Sequence, residues 1–138
     1  MTPAVYIRQL LIDEGVGTEE GDWKVYVSFL PPSPDLAICV YDTTPKDDGR
    51  VMDTGERISH PGIQVVVRGD YPYVFLKVQE ICDLFDSLLD KEVTFGGETK
   101  KIHSMTRTSG VIPLGVEEKG HKSRHLMSVN YIATFSTL

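Results

Sequence analysis

The sequence predicts an α+β domain in which two helices pack against a single mixed or antiparallel sheet of about five to six strands, with two long projecting loops. Three observations lead to this prediction. Two stretches carry apolar residues at the spacing of an amphipathic helix, and several others have the patterns of strands. The length of 138 residues is typical of one domain, so we expect residues 1–138 to share one core.

Both predicted helices have recognisable start signals. Thr2 can offer a hydroxyl to an exposed amide, and Pro3 has no amide to satisfy in the first turn. The first helix is expected to end near Gly15, because glycine readily adopts the left-handed conformation that closes a helix. The second helix covers residues 71–89, where Asp70 can cap the first turn.

Five segments have the patterns of strands. Residues 24–30 and 125–135 alternate apolar and polar side chains, which is typical of a strand with one buried face. Residues 36–41 and 63–68 are almost continuously apolar, as in central strands covered on both sides. Residues 93–105 predict a β-hairpin that turns at two consecutive glycines.

Two long segments, residues 43–59 and 108–123, are rich in glycine, proline and charge and lack a clear period. We expect both to be projecting loops, and long irregular connections are commonly functional. The first loop carries mixed charges suited to a partner surface, namely Lys46, Asp47, Asp48, Arg50, Asp53, Glu56 and Arg57. The second carries apolar residues that favour burial against another subunit, followed by two acids: Val111, Ile112, Leu114, Val116, Glu117 and Glu118.

Composition excludes several classes of protein. The 20 acidic and 14 basic residues give a net charge of -6, which argues against binding a nucleic-acid backbone. No apolar run approaches the ~18 residues that span a bilayer, so no membrane partner is expected. Cys39 and Cys82 lie in apolar runs, which favours buried free thiols in a reducing compartment and no disulfide.

Motifs for catalysis and metal binding are not recognisable, and we predict no enzyme, no metal site and no cofactor. The chain has no phosphate-binding glycine loop and no nucleophile elbow. His121 and His125 are four residues apart, but they lead from a loop into a strand, where that spacing does not converge. Asp47 and Asp48 lack the ligand spacing of a calcium loop.

Four parts of the chain together resemble the tail terminator family of tailed phages, whose members are often labelled minor capsid or tail completion proteins. They are the opening helix, residues 54–68, the helix that begins at Tyr71, and residues 124–131. The resemblance covers most of the chain, but the family has no short invariant signature and no catalytic residue to compare. It implies a structural virion protein that forms a hexameric ring on the last ring of the tail tube and ends tube growth.

The resemblance also implies the partners and the location of the chain. The partners would be other copies of itself, the tail tube protein and the head-tail connector. DNA would pass through the ring without specific binding, which agrees with the sign of the net charge. The chain would lie at the head-proximal end of the tail in the virion, and in the host cytoplasm during assembly. The first loop would face the tube or the ring lumen, and the second would be covered by a neighbouring subunit.

Three alternatives remain open at this point. The chain could be another neck or tail component, such as a head-tail adaptor or a tube protein, since these share small α+β architectures. It could be a small enzyme that works through His60, His103 or the acidic loop, which would require convergent polar groups in a pocket. It could also be a monomeric adaptor domain.

Overall fold

The computed structural model describes residues 2–47, 59–119 and 122–137. In these residues, helices α1 (Pro3–Asp13) and α2 (Tyr73–Asp86) pack against one seven-stranded sheet. The strands are β1 (Lys24–Val27), β2 (Ala37–Asp47), β3 (Ser59–Gly69), β4 (Lys91–Phe95), β5 (Glu98–Arg107), β6 (Ile112–Lys119) and β7 (Lys122–Thr137). The predicted α+β class is confirmed, and the sheet has one strand more than the upper expectation.

The sheet is mixed, because β1 runs parallel to β2 whereas the other described pairings are antiparallel. The main strand order is β1-β2-β3-β7-β5-β4, and β6 pairs with β7 off this path. The 16-residue β7 lies along β3 on one side. On its other side it pairs with β5 near its C-terminal end and with β6 near its N-terminal end. β5 and β6 are therefore two segments of one interrupted strand beside β7.

One hydrophobic core lies between the helices and one side of the sheet, which we call the helix face; the opposite side is the outer face. The helices contribute Ala4, Tyr6, Ile7, Leu10 and Leu11 from α1, and Val74, Val78, Ile81, Cys82 and Phe85 from α2. The three central strands contribute Ile38, Val40, Ile63, Val65, Val67, Val129, Tyr131, Ala133 and Phe135. These strand residues alternate with the residues of the outer face, as the period of a strand requires.

The helix ends differ in detail from the sequence prediction. Gly15 has a φ of 75° just after α1, which confirms its predicted role. Thr2 precedes the helix but its side chain makes no capping hydrogen bond. The prediction that Asp70 caps α2 is wrong: the helix begins at Tyr73, and Asp70 accepts from the Val74 amide through its backbone carbonyl, at 2.9 Å. The helix starts too far along the chain for the carboxylate to serve its first turn.

The prediction that residues 108–123 form an irregular loop is wrong for most of that segment. Residues 112–119 form β6, which makes a hairpin with β7. Pro113 is compatible with an edge strand, where its missing N–H leaves no ladder hydrogen bond unmade. Gly115 has a φ of 122° at the point where the register shifts, so it supplies a bulge that few other residues could adopt.

Both described ends of the segment predicted as the first loop, residues 43–47 and Ser59, belong to strands. β2 extends to Asp47 and β3 begins at Ser59, and these two residues pair with each other. Residues 48–58 lie outside the described part of the chain. A Cβ added at Gly62 would overlap the Thr43 side chain, so glycine is needed where β3 passes this part of β2.

The two long hairpins leave the sheet at opposite ends. In the register of β3 with β7, Ser59 pairs with Phe135 and Gly69 pairs with His125. The β2–β3 ladder therefore ends beside the C-terminal end of β7, and the β6–β7 ladder ends at the start of β7. The 11 residues of β3 separate the two ends by roughly 35 Å.

Alkaline pH is expected to destabilise the fold through Tyr131, which is buried in the core. Burial raises the pKa of Tyr131 above its ordinary value, and Cys82 and Asp86 act in the same direction. The folded state therefore holds the phenol proton more tightly than the unfolded state. This stability is complete below pH ~10 and declines above it, by at most about 1.4 kcal/mol per pH unit.

Denaturant unfolding between pH 8 and 11.5 tests this expectation, with Tyr131→Phe as the control. At pH 8 the free energy of unfolding of the variant should be about 1 kcal/mol lower than that of the wild type, because the Tyr131 hydroxyl donates to Asp86 Oδ1 at 3.1 Å. Above pH 10 it should lose stability less steeply than the wild type. Equal slopes would contradict the prediction.

Candidate interaction surface

Two arginines are buried on the outer face beneath residues 28–36, which we call the proline segment. Arg68 on β3 and Arg124 on β7 are each 2% exposed. Arg68 Nη2 donates to the Pro34 carbonyl at 2.5 Å. Arg124 Nη1 donates to the Pro32 carbonyl at 2.5 Å. The two guanidinium groups therefore hold the proline segment against the sheet, and we call this arrangement the arginine clamp.

Charge within the arginine clamp is nearly balanced. Burial lowers the pKa of Arg68, and the neighbouring charge of Arg124 lowers it further, while Asp35 opposes the shift. Arg124 pairs with Glu117 of β6 through Nη2, and its Nη1 lies 3.4 Å from Asp35 Oδ1. Backbone carbonyls and two carboxylates thus offset the desolvation of the cations. The clamp joins the proline segment to β3, β7 and β6.

A groove of about 490 Å³ opens on the outer face beside the clamp. Its floor and walls come from β2, β3, β6, β7 and the proline segment. The apolar lining includes Phe29, Tyr41, Val66, Leu114 and Leu126. Phe29 is 66% exposed and Leu114 is 50% exposed, so large apolar side chains meet solvent at its edge. Exposed apolar patches of this kind mark interaction surfaces.

The six residues predicted as an oligomer interface do not form one patch. Ile112 and Leu114 lie on the outer face, since Ile112 pairs with Ser128 and Leu114 lines the groove. Val116 pairs with His125 and lies on the helix face. All three of these apolar residues are exposed.

The other members of that set have different environments. Val111 is partly buried and packs against the core. Glu117 is held by Arg124, and Glu118 is exposed opposite Ser123. Of the set, Ile112, Leu114 and Glu117 are therefore the residues on the groove side of β6.

Of the charged residues predicted for the first loop, the structure describes only the first two. Lys46 pairs with His60 and Asp47 with Ser59 at the end of the β2–β3 ladder. The rest of the set lies outside the described residues: Asp48, Arg50, Asp53, Glu56 and Arg57. Their place on a partner surface stays a prediction.

A second apolar patch lies on α2, on the side turned away from the sheet. Tyr73 is 61% exposed and Leu76 is 55% exposed, one helical turn apart. Lys77 forms an ion pair with Glu80 at 3.0 Å next to them. We call Tyr73 and Leu76 the α2 patch.

His103 connects three elements at the far edge of the sheet. Its Nδ1 lies 2.7 Å from Asp90 Oδ1, and its Nε2 lies 2.8 Å from Ser136 Oγ. The order of groups matches a serine-histidine-acid triad, but the His103 and Asp90 side chains are 37% and 52% exposed. Such a triad works with oxyanion donors in a site that excludes water. We interpret these hydrogen bonds as structural contacts between neighbouring segments at the end of β7.

The remaining candidates for chemistry also have structural contacts. His60 Nδ1 lies 3.0 Å from Thr134 Oγ1 on the neighbouring strand. Cys39 and Cys82 are buried free thiols, and burial raises the pKa of Cys39, which disfavours the thiolate. Within the described ranges, no group of three or more His, Cys, Asp or Glu could hold a metal ion. His121 lies outside those ranges.

Comparison with known families decides the class of protein. A family model described as bacteriophage tail terminator protein matches residues 10–137. The chain belongs to this family. The match extends from α1 to the end of β7, so it includes the arginine clamp, the groove and both long hairpins. Curated proteins include no significant match to the chain.

Family membership confirms the resemblance found in the sequence and gives the chain a structural role in a phage tail. The tail terminator family is structural rather than catalytic. It implies contacts with other tail and head components and a place in the virion. Among the residues described, neither helix is long and apolar enough to cross a membrane.

Sequence reasoning missed the arginine clamp and the groove. Arg68 was visible only as the charged end of an apolar strand, and Arg124 as part of a basic turn. Their carbonyl acceptors lie 34 and 92 residues away in the chain. The prolines at positions 31, 32 and 34 mark a break between two strands, but the local sequence does not show that this segment crosses the sheet.

Proposed function

We propose that this chain forms a closed hexameric ring on the head-proximal end of the tail tube. The ring ends tube growth and offers a surface to the head-tail connector. The observation that carries the proposal is the tail terminator family match over residues 10–137. The chain acts through binding and geometry, without catalysis or a cofactor.

The placement of the two long hairpins supports a role between two partners. They leave opposite ends of one sheet, roughly 35 Å apart, so they can reach two different neighbours. We propose that the β2–β3 connection, with its mixed charges, faces the tube or the ring lumen. The β6–β7 hairpin, with its exposed apolar residues, contacts the neighbouring subunit.

The charge of the chain suits a ring that lets DNA pass. At a net charge of -6 per copy, a ring repels the phosphate backbone at long range and binds no DNA sequence. The subunits would assemble in the host cytoplasm and then remain in the virion at the head end of the tail.

Tube growth in vitro tests the proposal. Tube protein purified from the same phage is polymerised with and without this chain, and tube lengths and ends are recorded by electron microscopy. A terminator should shorten the tubes and form a ring at one end. Unchanged tubes together with binding to the connector would identify a head-tail adaptor instead, and polymerisation of this chain alone would identify a tube protein.

Truncation of residues 47–55 should impair assembly and leave the fold intact, because the β2–β3 ladder continues through Thr43 paired with Gly62. The melting temperature should change little, while the joining of tails to heads should fall strongly. A variant with residues 47–55 replaced by a Gly-Ser linker of equal length separates loss of the side chains from shortening of the loop. Normal tail joining in both variants would contradict the role of this loop.

A further inference from the structure

We propose that the outer-face groove is the docking site for the head-tail connector, and that it receives a connector segment in which an apolar anchor stands beside a lysine or arginine. This inference rests on the proposed ring function, and it names the surface and the partner chemistry for head-tail joining. The apolar lining of the groove accepts the anchor. The carboxylates of Asp35 and Glu117 accept the cation.

The ion pairs of the arginine clamp direct their negative ends toward solvent. Arg68 and Arg124 are each 2% exposed, whereas the Asp35 and Glu117 side chains are 27% and 42% exposed. The four formal charges cancel, but the cations lie beneath and the carboxylates lie nearer the surface. A segment that enters the groove therefore meets carboxylate oxygens first, and the net charge of -6 on the chain adds to this field. The groove attracts a cationic partner.

The lining of the groove combines apolar surface with a side-chain amide that is available for hydrogen bonding. Phe29, Leu114 and Leu126 supply apolar surface, and the volume of about 490 Å³ can hold several side chains. The amide of Gln64 also lines the groove and makes no hydrogen bond to the described part of the chain. It can donate to a backbone carbonyl and accept from a backbone amide of a bound segment. These groups together suit a peptide segment.

The position of the groove assigns it to the connector side of the ring. Val66, which lines it, lies seven residues along β3 from Ser59, roughly 23 Å from the end of the β2–β3 ladder. Gly69, at the opposite end of β3, is only three residues from Val66. In the proposed ring the β2–β3 connection is directed toward the tube or the lumen, so the groove lies nearer the opposite, connector-facing end. Val116 is on the other face of β6 and stays available to the neighbouring subunit.

A second copy of this chain is a poor match for the groove over its described surface. Beside the α2 patch, Lys77 is paired with Glu80, and the Lys77 side chain is only 13% exposed. Near the exposed Leu89, Lys91 is paired with Glu14. At both of these apolar positions, an acid of the same copy has already neutralised the cation. Copies with a net charge of -6 also repel one another at long range. The occupant is therefore a different protein.

The test measures how connector protein purified from the same phage binds full-length variants of this chain, alone and together with tail tubes. Leu114→Ser removes apolar surface from the groove. Glu117→Gln removes one negative charge while keeping an oxygen that can accept from Arg124. Leu89→Ser and Glu92→Gln are the matched controls, since both residues are exposed and lie outside the groove. Thermal melts establish that all the variants fold.

The connector should bind the wild type and both controls equally well, and this binding should weaken as salt rises, because charges contribute to the contact. Leu114→Ser should weaken connector binding by about 10-fold or more, because the anchor loses apolar contact. Glu117→Gln should weaken it by about 3-fold or more and reduce its salt dependence.

A double-mutant cycle identifies the cation on the connector. Surface lysines and arginines of the connector are replaced by glutamine one at a time, and each variant is measured against the wild type and Glu117→Gln. For one of them, Glu117→Gln should have no further effect, because the charge pair is already lost. If no connector cation couples to Glu117, the inference is wrong.

Other results would also overturn the inference. Connector binding that Leu114→Ser leaves unchanged, or no connector binding with or without tubes, would place the joining surface elsewhere. Tube protein that fails to bind Leu114→Ser would assign the groove to the tube. A closed oligomer that is lost in Leu114→Ser but kept in Leu89→Ser would assign it to a second copy.

The outcomes separate this inference from the proposed function. If the wild type ends tube growth but connector binding does not depend on the groove, the proposed function stands and the docking site is wrong. If connector binding depends on the groove but tubes grow on, the docking site stands and the terminator function is wrong.

Discussion

Replacing Phe85 with alanine should lower the free energy of unfolding by about 3–5 kcal/mol, the largest loss of stability that we expect from one substitution. Phe85 is completely buried on the inner side of α2. Its ring stands edge-on to the ring of Tyr131, with the centroids 5.1 Å apart. Alanine would leave a cavity between α2 and β7 that the surrounding backbone cannot close. Denaturant unfolding of the two proteins measures the difference.

Phe75→Ala is the matched control, because it makes the same change on the same helix at a position that is 40% exposed. It should lower the free energy of unfolding by less than about 1 kcal/mol, since it creates little cavity. Equal losses at Phe75 and Phe85 would show that α2 packs on the sheet through a different side.

The comparison separates loss of assembly caused by unfolding from loss caused by a changed surface. A domain of this size is stable by roughly 5–15 kcal/mol, so Phe85→Ala leaves a marginal fold. It would reduce assembly simply by lowering the amount of folded protein. Exposed substitutions such as Leu114→Ser should reduce assembly at nearly full stability, and only that combination identifies a contact surface.

Local patterns in the sequence were sufficient for the helices and most strands. The amphipathic spacing of α1 and α2 and the paired glycines at 96–97 are signals carried by neighbouring residues, so they survive without knowledge of the rest of the fold. β6 was missed because Pro113 and Gly115 interrupt an alternating run of Ile112, Leu114 and Val116. Both are acceptable in an edge strand with a bulge, and only the pairing with β7 reveals it.

The interaction surface could be predicted in part. The apolar residues of β6 were expected to meet a partner, and three of them are exposed. Their division between two faces depends on the register with β7 and the shift at Gly115, which no local pattern specifies. The groove also depends on the proline segment crossing the sheet. That crossing is held by arginines far away in the chain, so it follows from tertiary structure alone.

Arg124→Met should lower the stability only moderately, by about 1–3 kcal/mol, and yet abolish binding to the connector. Methionine keeps much of the apolar stem, so the packing loss is small. The bonds to the Pro32 carbonyl and to Glu117 disappear. The Asp35 and Glu117 side chains are 27% and 42% exposed, so water can solvate both carboxylates where they no longer contact Arg124. The loss of stability is therefore smaller than it would be for an ion pair in which both side chains are buried.

Assembly should suffer more than stability because the clamp shapes the groove. Arg124 joins the proline segment, which carries Phe29, to β6, which carries Leu114, and these residues form two edges of the groove. Without it the two edges are free to separate, and a contact that needs a fixed concave surface loses affinity through the cost of ordering it.

Arg107→Met is the control for loss of an arginine charge. Arg107 pairs with Asp86 on the helix face, and its side chain is 35% exposed. The substitution should therefore lower the free energy of unfolding by about 1 kcal/mol or less. Its binding to the connector should match that of the wild type. Connector binding that persists in Arg124→Met, with stability reduced as expected, would mean that the proline segment and β6 keep their positions without the clamp. The shape of the groove would then come from the β6–β7 ladder alone, and the bulge at Gly115 would be the feature that sets it.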